Sequence, residues 1–245
     1  MLIRDRLREQ GERLFRGRSF LPLLLVPLGL LALWQSRDEG SRLGTTYEWL
    51  CLGISAAGLA LRFAVAGSVP RGSSGRRTRS GLVSDDLNTT GIYSLMRHPL
   101  YLANFLLFLG FLLAFGGFWP ALTGSLIFWL YYERIALSEE HYLEREFGER
   151  YLAWARETPA LLPDFRRWRP PALRFRLRSA LKREYRTLCG TLLAFALVHL
   201  LRDSLVHGRF VLEPAPAWLL ACAALVFALL RFLHKRTRFL HAPGR

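Results

Sequence analysis

The chain has 245 residues, 51% of them apolar, and a net charge of +15. Its length alone would allow one or two soluble domains. The apolar residues, however, come in blocks of roughly 15 to 22 with few charges, the length that crosses a hydrocarbon core. A soluble helical core is set aside because its helices would alternate polar and apolar faces; the mean hydropathy of +0.17 averages apolar blocks with arginine-rich connectors.

In chain order, Met1–Arg18 reads as an arginine-rich amphipathic helix on the membrane surface, too charged for a cleavable leader. Six spans are predicted: Phe20–Trp34, Tyr47–Ala66, Pro99–Phe115, Phe118–Tyr132, Leu188–Leu205 and Ala215–Leu233. Gly67–Asn88 is rich in Gly, Ser and Arg and reads as a loop. Gly116-Gly117 predicts a tight helical hairpin, with Pro120 in the first turn of the returning helix. The segment Tyr131–Phe147 continues as a helix leaving the membrane, Gly148 stops it, and Glu149–Glu157 forms a second short helix closed by Thr158-Pro159. The expected fold is therefore all-α: a polytopic membrane protein of about six helices. It divides into residues 1–84 (surface helix, two spans, basic loop), 85–165 (core with hairpin) and 166–245 (basic linker and a final pair of spans).

The charge is almost all arginine; Lys182 and Lys235 are the only lysines. A basic protein invites a nucleic-acid reading, but the positions argue otherwise. Met1–Arg18, Arg71–Arg79, Arg134–Arg186 and the tail after Arg231 are basic, whereas Gln35–Thr46 and His207–Pro214 are close to neutral. With six spans every basic segment falls on one side, the positive-inside pattern, with both termini cytoplasmic. The excess arginines can also hold anionic headgroups. Cys51, Cys189 and Cys222 all lie in apolar spans without metal-ligand spacing, so no metal is expected.

The stretch Thr89–Phe105, TTGIYSLMRHPLYLANF, gathers polar residues at the mouth of an apolar helix. Pro99 biases His98 away from helical geometry and itself suits the first helical position. His98 then sits beside unpaired backbone N–H groups that favour an anion, with Tyr101 and Asn104 on roughly the same face. Arg97 and Tyr101 read equally well as interfacial anchors with His98 incidental. Glu139-Glu140, on the emerging helix, could hold an ammonium or a ribose, or form a solvated face paired with Arg134 and Arg145.

The order of these signals is more specific than any one of them. Gly91-Ile92-Tyr93, Arg97-His98-Pro99 and Tyr101, a hairpin, Glu139-Glu140, then Phe147-Gly148-Glu149, Tyr151, Trp154, Thr158-Pro159 and Pro163 resemble the isoprenylcysteine carboxyl methyltransferase and phospholipid methyltransferase family. The resemblance covers Asp85 to Phe165. It implies an integral-membrane enzyme that uses S-adenosylmethionine in a cytoplasmic cofactor-binding segment. By position it implies that Tyr93, His98, Pro99, Tyr101 and Glu139 line the cofactor pocket, with Asp85, Asp86, Leu87 and Asn88 just before it. Arg134, Asn104 and Glu140 are candidates for the substrate. Two positions depart from the family's pattern: Ala103 where it often has glycine, and Ile135 where it often has an arginine four residues before the glutamate, with Arg134 one residue off.

The expected function is methyl transfer to a lipid or other lipophilic acceptor: an amine, a phosphate or a carboxylate. Membrane lipids are the expected partners, and the sequence leaves the acceptor and the oligomeric state open. Two other readings stand beside it. One is a nicotinamide-dependent membrane reductase with a similar last section. The other is a non-catalytic lipid-binding scaffold on this fold.

Overall fold

The computed structural model describes residues 3–17, 26–35, 45–70, 76–78, 81–83, 86–210 and 214–236. The first residues of the Phe20–Trp34 span, and Asp85, lie outside them. Among the described residues the regular structure is helical apart from one three-residue antiparallel pair inside the basic loop, β1 (Arg76–Thr78) with β2 (Gly81–Val83).

The first helix, α1 (Ile3–Gly17), is amphipathic, as its pattern predicts, and it docks on another helix through a face that includes Gly11 and Leu14. It packs along α5 (Phe118–Phe147). Gly11 allows the approach, since a Cβ there would meet Arg134's carbonyl and lie 3.1 Å from Ser138's Cβ. Tyr131 donates its hydroxyl to Leu14's carbonyl. At 30 residues α5 is about 45 Å long. It therefore holds both the Phe118–Tyr132 span and a stalk carrying Glu139 and Glu140, up to Gly148, whose φ of +53° ends it.

The predicted hairpin is present. The helix α4 (Pro99–Ala114) turns through Gly116 and Gly117, at φ +89° and +88°, into α5. Phe108, Leu112, Ala121, Phe128 and Tyr132 form the core between the two, with Phe128 and Tyr132 rings stacked at 4.1 Å. Beside it, α3 (Thr45–Ser68) lies close against α4. Gly58 has Leu107's backbone N 2.7 Å from where a Cβ would sit, and Ser55 donates to Leu107's carbonyl at 2.9 Å, the small-residue packing that membrane helices use. A second apolar core joins α2 (Val26–Gln35), α3, α4 and Val198 of α7 (Leu177–His207).

Among the described residues, three helices are long and apolar enough to cross a membrane: Thr46–Ser68, Leu177–His207 and Ala217–Arg236, the last within α8 (Pro214–Arg236). The apolar helices Val26–Gln35 and Pro99–Ala114 are shorter. α7 starts eleven residues before its predicted span and runs along α3. Two arginines within these helices are held by polar partners. Arg202, 7% exposed, bonds Glu48 at 2.8 Å and Ala114's carbonyl. Arg62 is held by Glu184 and Asn104.

Candidate active site

The site is built on the turn before α4. Gly91 takes φ +61° and ψ −134°, a conformation that favours glycine, and a Cβ there would come within 3.0 Å of Pro171. From Gly91 the chain is stitched antiparallel to the segment after α6 (Glu149–Glu157). Gly91 donates to Arg169's carbonyl at 2.9 Å, Asp164 to Leu95's at 3.0 Å, Arg97 to Pro159's at 2.8 Å and His98 to Ala160's at 3.0 Å. The two motif blocks of the sequence are thus joined by main-chain hydrogen bonds.

His98 has the extended φ of −120° that a residue before proline prefers, and Pro99 opens α4. The expected anion-binding mouth is largely closed. Pro99 has no N–H, and the N–H groups of Tyr101 and Leu102 turn back to His98's own carbonyl. The carboxylates that meet His98 are instead the protein's own. Its Nε2 lies 2.9 Å from Glu140 Oε1, and its Nδ1 lies 3.8 Å from Glu139 Oε2. Its ring stacks on Tyr101 at 4.9 Å, within 1° of parallel. Tyr101 donates its hydroxyl to Glu139, and Arg97 reaches Glu140 at 3.2 Å.

This cluster is electrostatically tuned. Burial raises Glu140's pKa, but the hydrogen bond from His98 and the charges of His98 and Arg97 outweigh it, leaving the carboxyl below its ordinary range. Burial pushes the Tyr93 phenol well up, and Glu139's charge adds to the shift. Tyr151 is raised by burial and then by Glu140. Both phenols stay protonated at neutral pH.

Next to the cluster lies a cleft of about 210 Å³. Asp86, Leu87, Asn88 and Tyr93 line it, with Val65 from α3, Val69 just past that helix's end and Arg150 from α6. Asp86 accepts from Leu87's N–H at 2.8 Å and from Arg150 at 3.3 Å. The predicted residues therefore form two adjoining groups, and Tyr93, which lines the cleft and feels Glu139, joins them. Pro99 is buried at the helix mouth.

Asn104 lies deeper, donating to Tyr132's hydroxyl at 3.1 Å and accepting from Arg62. Arg134 is not with the others: it bonds Gln10 and Leu130's carbonyl on the α1 side. Ala103 and Ile135, the two departures from the family pattern, are wholly buried, Ala103 beneath Gly58. The sequence reading missed Arg62, Tyr132 and Glu184. A signal existed for the outer two: Arg62 is a charge inside an apolar span, and Glu184 is the one acid between Phe165 and Arg202.

Residues 73–150 match the phospholipid methyltransferase family. Over 77 residues, 31% of this chain and 33% of the relative, the chain is 35% identical to the protein-S-isoprenylcysteine O-methyltransferase of Schizosaccharomyces pombe. Over another 77 residues, 31% of this chain and 39% of the relative, it is 30% identical to protein-S-isoprenylcysteine O-methyltransferase B of Arabidopsis thaliana. It is also 42% identical, over 84 residues, to a nickel-cobalt-cadmium resistance protein of Alcaligenes xylosoxydans xylosoxydans, covering 34% of this chain and 39% of that protein. The chain spans a third to two-fifths of the length of these relatives. No solved structure matches it. Among the described residues no three His, Cys, Asp or Glu side chains are grouped to hold a metal ion.

Proposed function

We propose that this chain, whose residues 73–150 match the phospholipid methyltransferase family and which resembles two isoprenylcysteine O-methyltransferases, is a membrane methyltransferase that uses S-adenosylmethionine to methylate a lipid or other lipophilic acceptor. The observation that carries the reading is the contact of Tyr101, His98 and Glu139 beside the Asp86–Tyr93 cleft.

The residues present fit that cofactor. Asp86 and Asn88 suit ribose hydroxyls, and Leu87, Val65 and Val69 offer an apolar wall for a purine. Glu139, held by Tyr101, suits an ammonium or sulfonium. When bound, the cofactor supplies an electrophilic methyl group on a cationic sulfur.

The chain's task is then placement. His98 and Tyr101 hold Glu139 in one orientation, which costs no reorganisation during transfer. The apolar faces of α3 and α4 keep water from the acceptor. A carboxylate or phosphate acceptor needs no base, and an amine needs only to lose a proton. The acid–base triad of hydrolases is thus unnecessary, and His98 acts as a positioning group.

The reading includes six crossings, both termini and the cleft in the cytoplasm, and lateral entry of the acceptor from the bilayer. The distribution of arginine between connectors supports that orientation.

Calorimetry with S-adenosylmethionine on detergent-purified protein tests the cofactor. The wild type should bind, and His98→Ala and Glu139→Ala should bind at least tenfold more weakly, about 1.4 kcal/mol. Folded wild type that does not bind overturns the reading. Labelled methyl transfer into a membrane lipid extract tests the acceptor class: binding without transfer into any lipid fraction overturns the lipid part alone.

A further inference from the structure

The segment between α6 and α7 has features that methyl transfer does not use. Its backbone fixes its depth. Arg97 and His98, at the start of α4, donate to Pro159 and Ala160, and Arg176 donates to Gly67's carbonyl near the end of α3 at 3.0 Å. α4 carries no charged residue, and α3 carries only Glu48 and Arg62, both held in ion pairs. The segment between Thr158 and Arg176 therefore lies level with the ends of two apolar helices, where a bilayer gives way to water.

Its side chains suit that level. Leu162 and Phe165 are 78% and 75% exposed, and Trp168 is also exposed. Arg166, Arg167 and Arg169 alternate with them. Exposed aromatic and arginine side chains on one short segment are the chemistry of a membrane interface, with rings in the acyl boundary and guanidinium groups among the phosphates.

The same segment closes a second cleft, of about 240 Å³, against α6. Its lining includes Trp154, Thr158 and the three arginines, with Glu157 as its single carboxylate. Arg169 meets Glu157 only at 3.7 Å, and Arg167 pairs with Asp164 at 3.0 Å. Two acids against three arginines leave one net cation at the cleft. The buried indole N–H of Trp154 has no hydrogen-bond partner among the described residues. An orphan donor beside surplus guanidinium groups fits an oxyanion.

We propose that this cleft binds the phosphate of an anionic membrane lipid, with Leu162, Phe165 and Trp168 seated in the bilayer beside it. The site adjoins the Asp86–Tyr93 cleft, with Thr89 between the two, and does not depend on the methyltransferase reading. The bilayer, not free phosphate, is its source, because the apolar residues beside it fit acyl chains.

The test uses the full chain in nanodiscs of phosphatidylcholine with a fixed fraction of phosphatidylglycerol. Lipids retained after release are counted by native mass spectrometry. Wild type should retain phosphatidylglycerol above its share in the disc. Arg166→Gln/Arg169→Gln should lose that preference about tenfold, and Trp154→Phe should lose part of it. Arg209→Gln, an exposed arginine past the other end of α7, should keep it. Retention in the cleft variants equal to wild type, or equal loss in Arg209→Gln, overturns the proposal. A last arm titrates delipidated protein with inorganic phosphate. Binding as tight as that of phosphatidylglycerol overturns the bilayer source, whereas much weaker binding supports it.

Discussion

Glu184 of α7 grips Arg62 of α3 through both carboxylate oxygens, at 2.6 and 3.0 Å, with the side chains 7% and 19% exposed. Arg62 in turn bonds Asn104, which bonds Tyr132. A buried ion pair is weak evidence for stability, but removing one partner strands the other charge. Glu184→Leu should therefore lower stability by about 3 kcal/mol. Arg62→Met/Glu184→Leu should recover most of the loss. Thermal unfolding in detergent, followed by fluorescence, checks both; a double variant no better than the single one would mean that the pair itself contributes the stability.

Glycines on α3 should separate by what they face. At Gly58 a Cβ would crowd Ala103's carbonyl and Leu107's N, so Gly58→Ala should cost about 1–3 kcal/mol by overpacking. Gly53, five residues earlier, has nothing among the described residues within 4 Å of where a Cβ would sit. Gly53→Ala should leave the melting temperature unchanged or raise it, since alanine is the better helix residue by about 0.5–1 kcal/mol. The same melts measure both.

Much of this architecture was legible in the sequence. Apolar block length marked the helices, Gly116-Gly117 marked the hairpin, and Pro99 marked the start of α4, because each is a local consequence of composition or backbone chemistry. The His98, Tyr101 and Glu139 contact came from the family resemblance, since 38 residues separate Tyr101 from Glu139 and no periodicity links them. What could not be read was pairing across helices. Arg134 and Arg62 look alike in sequence, yet one faces α1 and the other the interior. The closed mouth of α4 was also hidden, because it depends on where the N–H groups of Tyr101 and Leu102 point.

Glu140 should make stability depend on pH in acid. Its native pKa is lowered by His98 and Arg97 against the opposing effect of burial. A carboxyl with a lowered native pKa stabilises the fold above its unfolded pKa, about 4.3. That stabilisation disappears as pH falls through the native value. Wild type should thus melt above Glu140→Gln at neutral pH, by a margin that is level down to about pH 5 and then closes. Melts from pH 3 to 8 check this; a margin independent of pH would assign the effect to shape instead of charge.

Tyr101→Phe isolates one hydrogen bond within the cluster. The ring that stacks on His98 remains, and only the hydroxyl that Glu139 accepts from is removed. A hydrogen bond to a charged group is worth about 1.5–3 kcal/mol. If Glu139 must be held in place to meet the cofactor, the variant should bind S-adenosylmethionine about tenfold more weakly and melt close to wild type. Glu139→Gln should lose more, because it removes the charge itself. On that background Tyr101→Phe should cost much less than it does alone, since groups in one network are not additive. Calorimetry on the four proteins completes the cycle. Equal losses from Tyr101→Phe on both backgrounds would mean that the tyrosine meets the cofactor directly, and Glu139 would no longer be the group it positions.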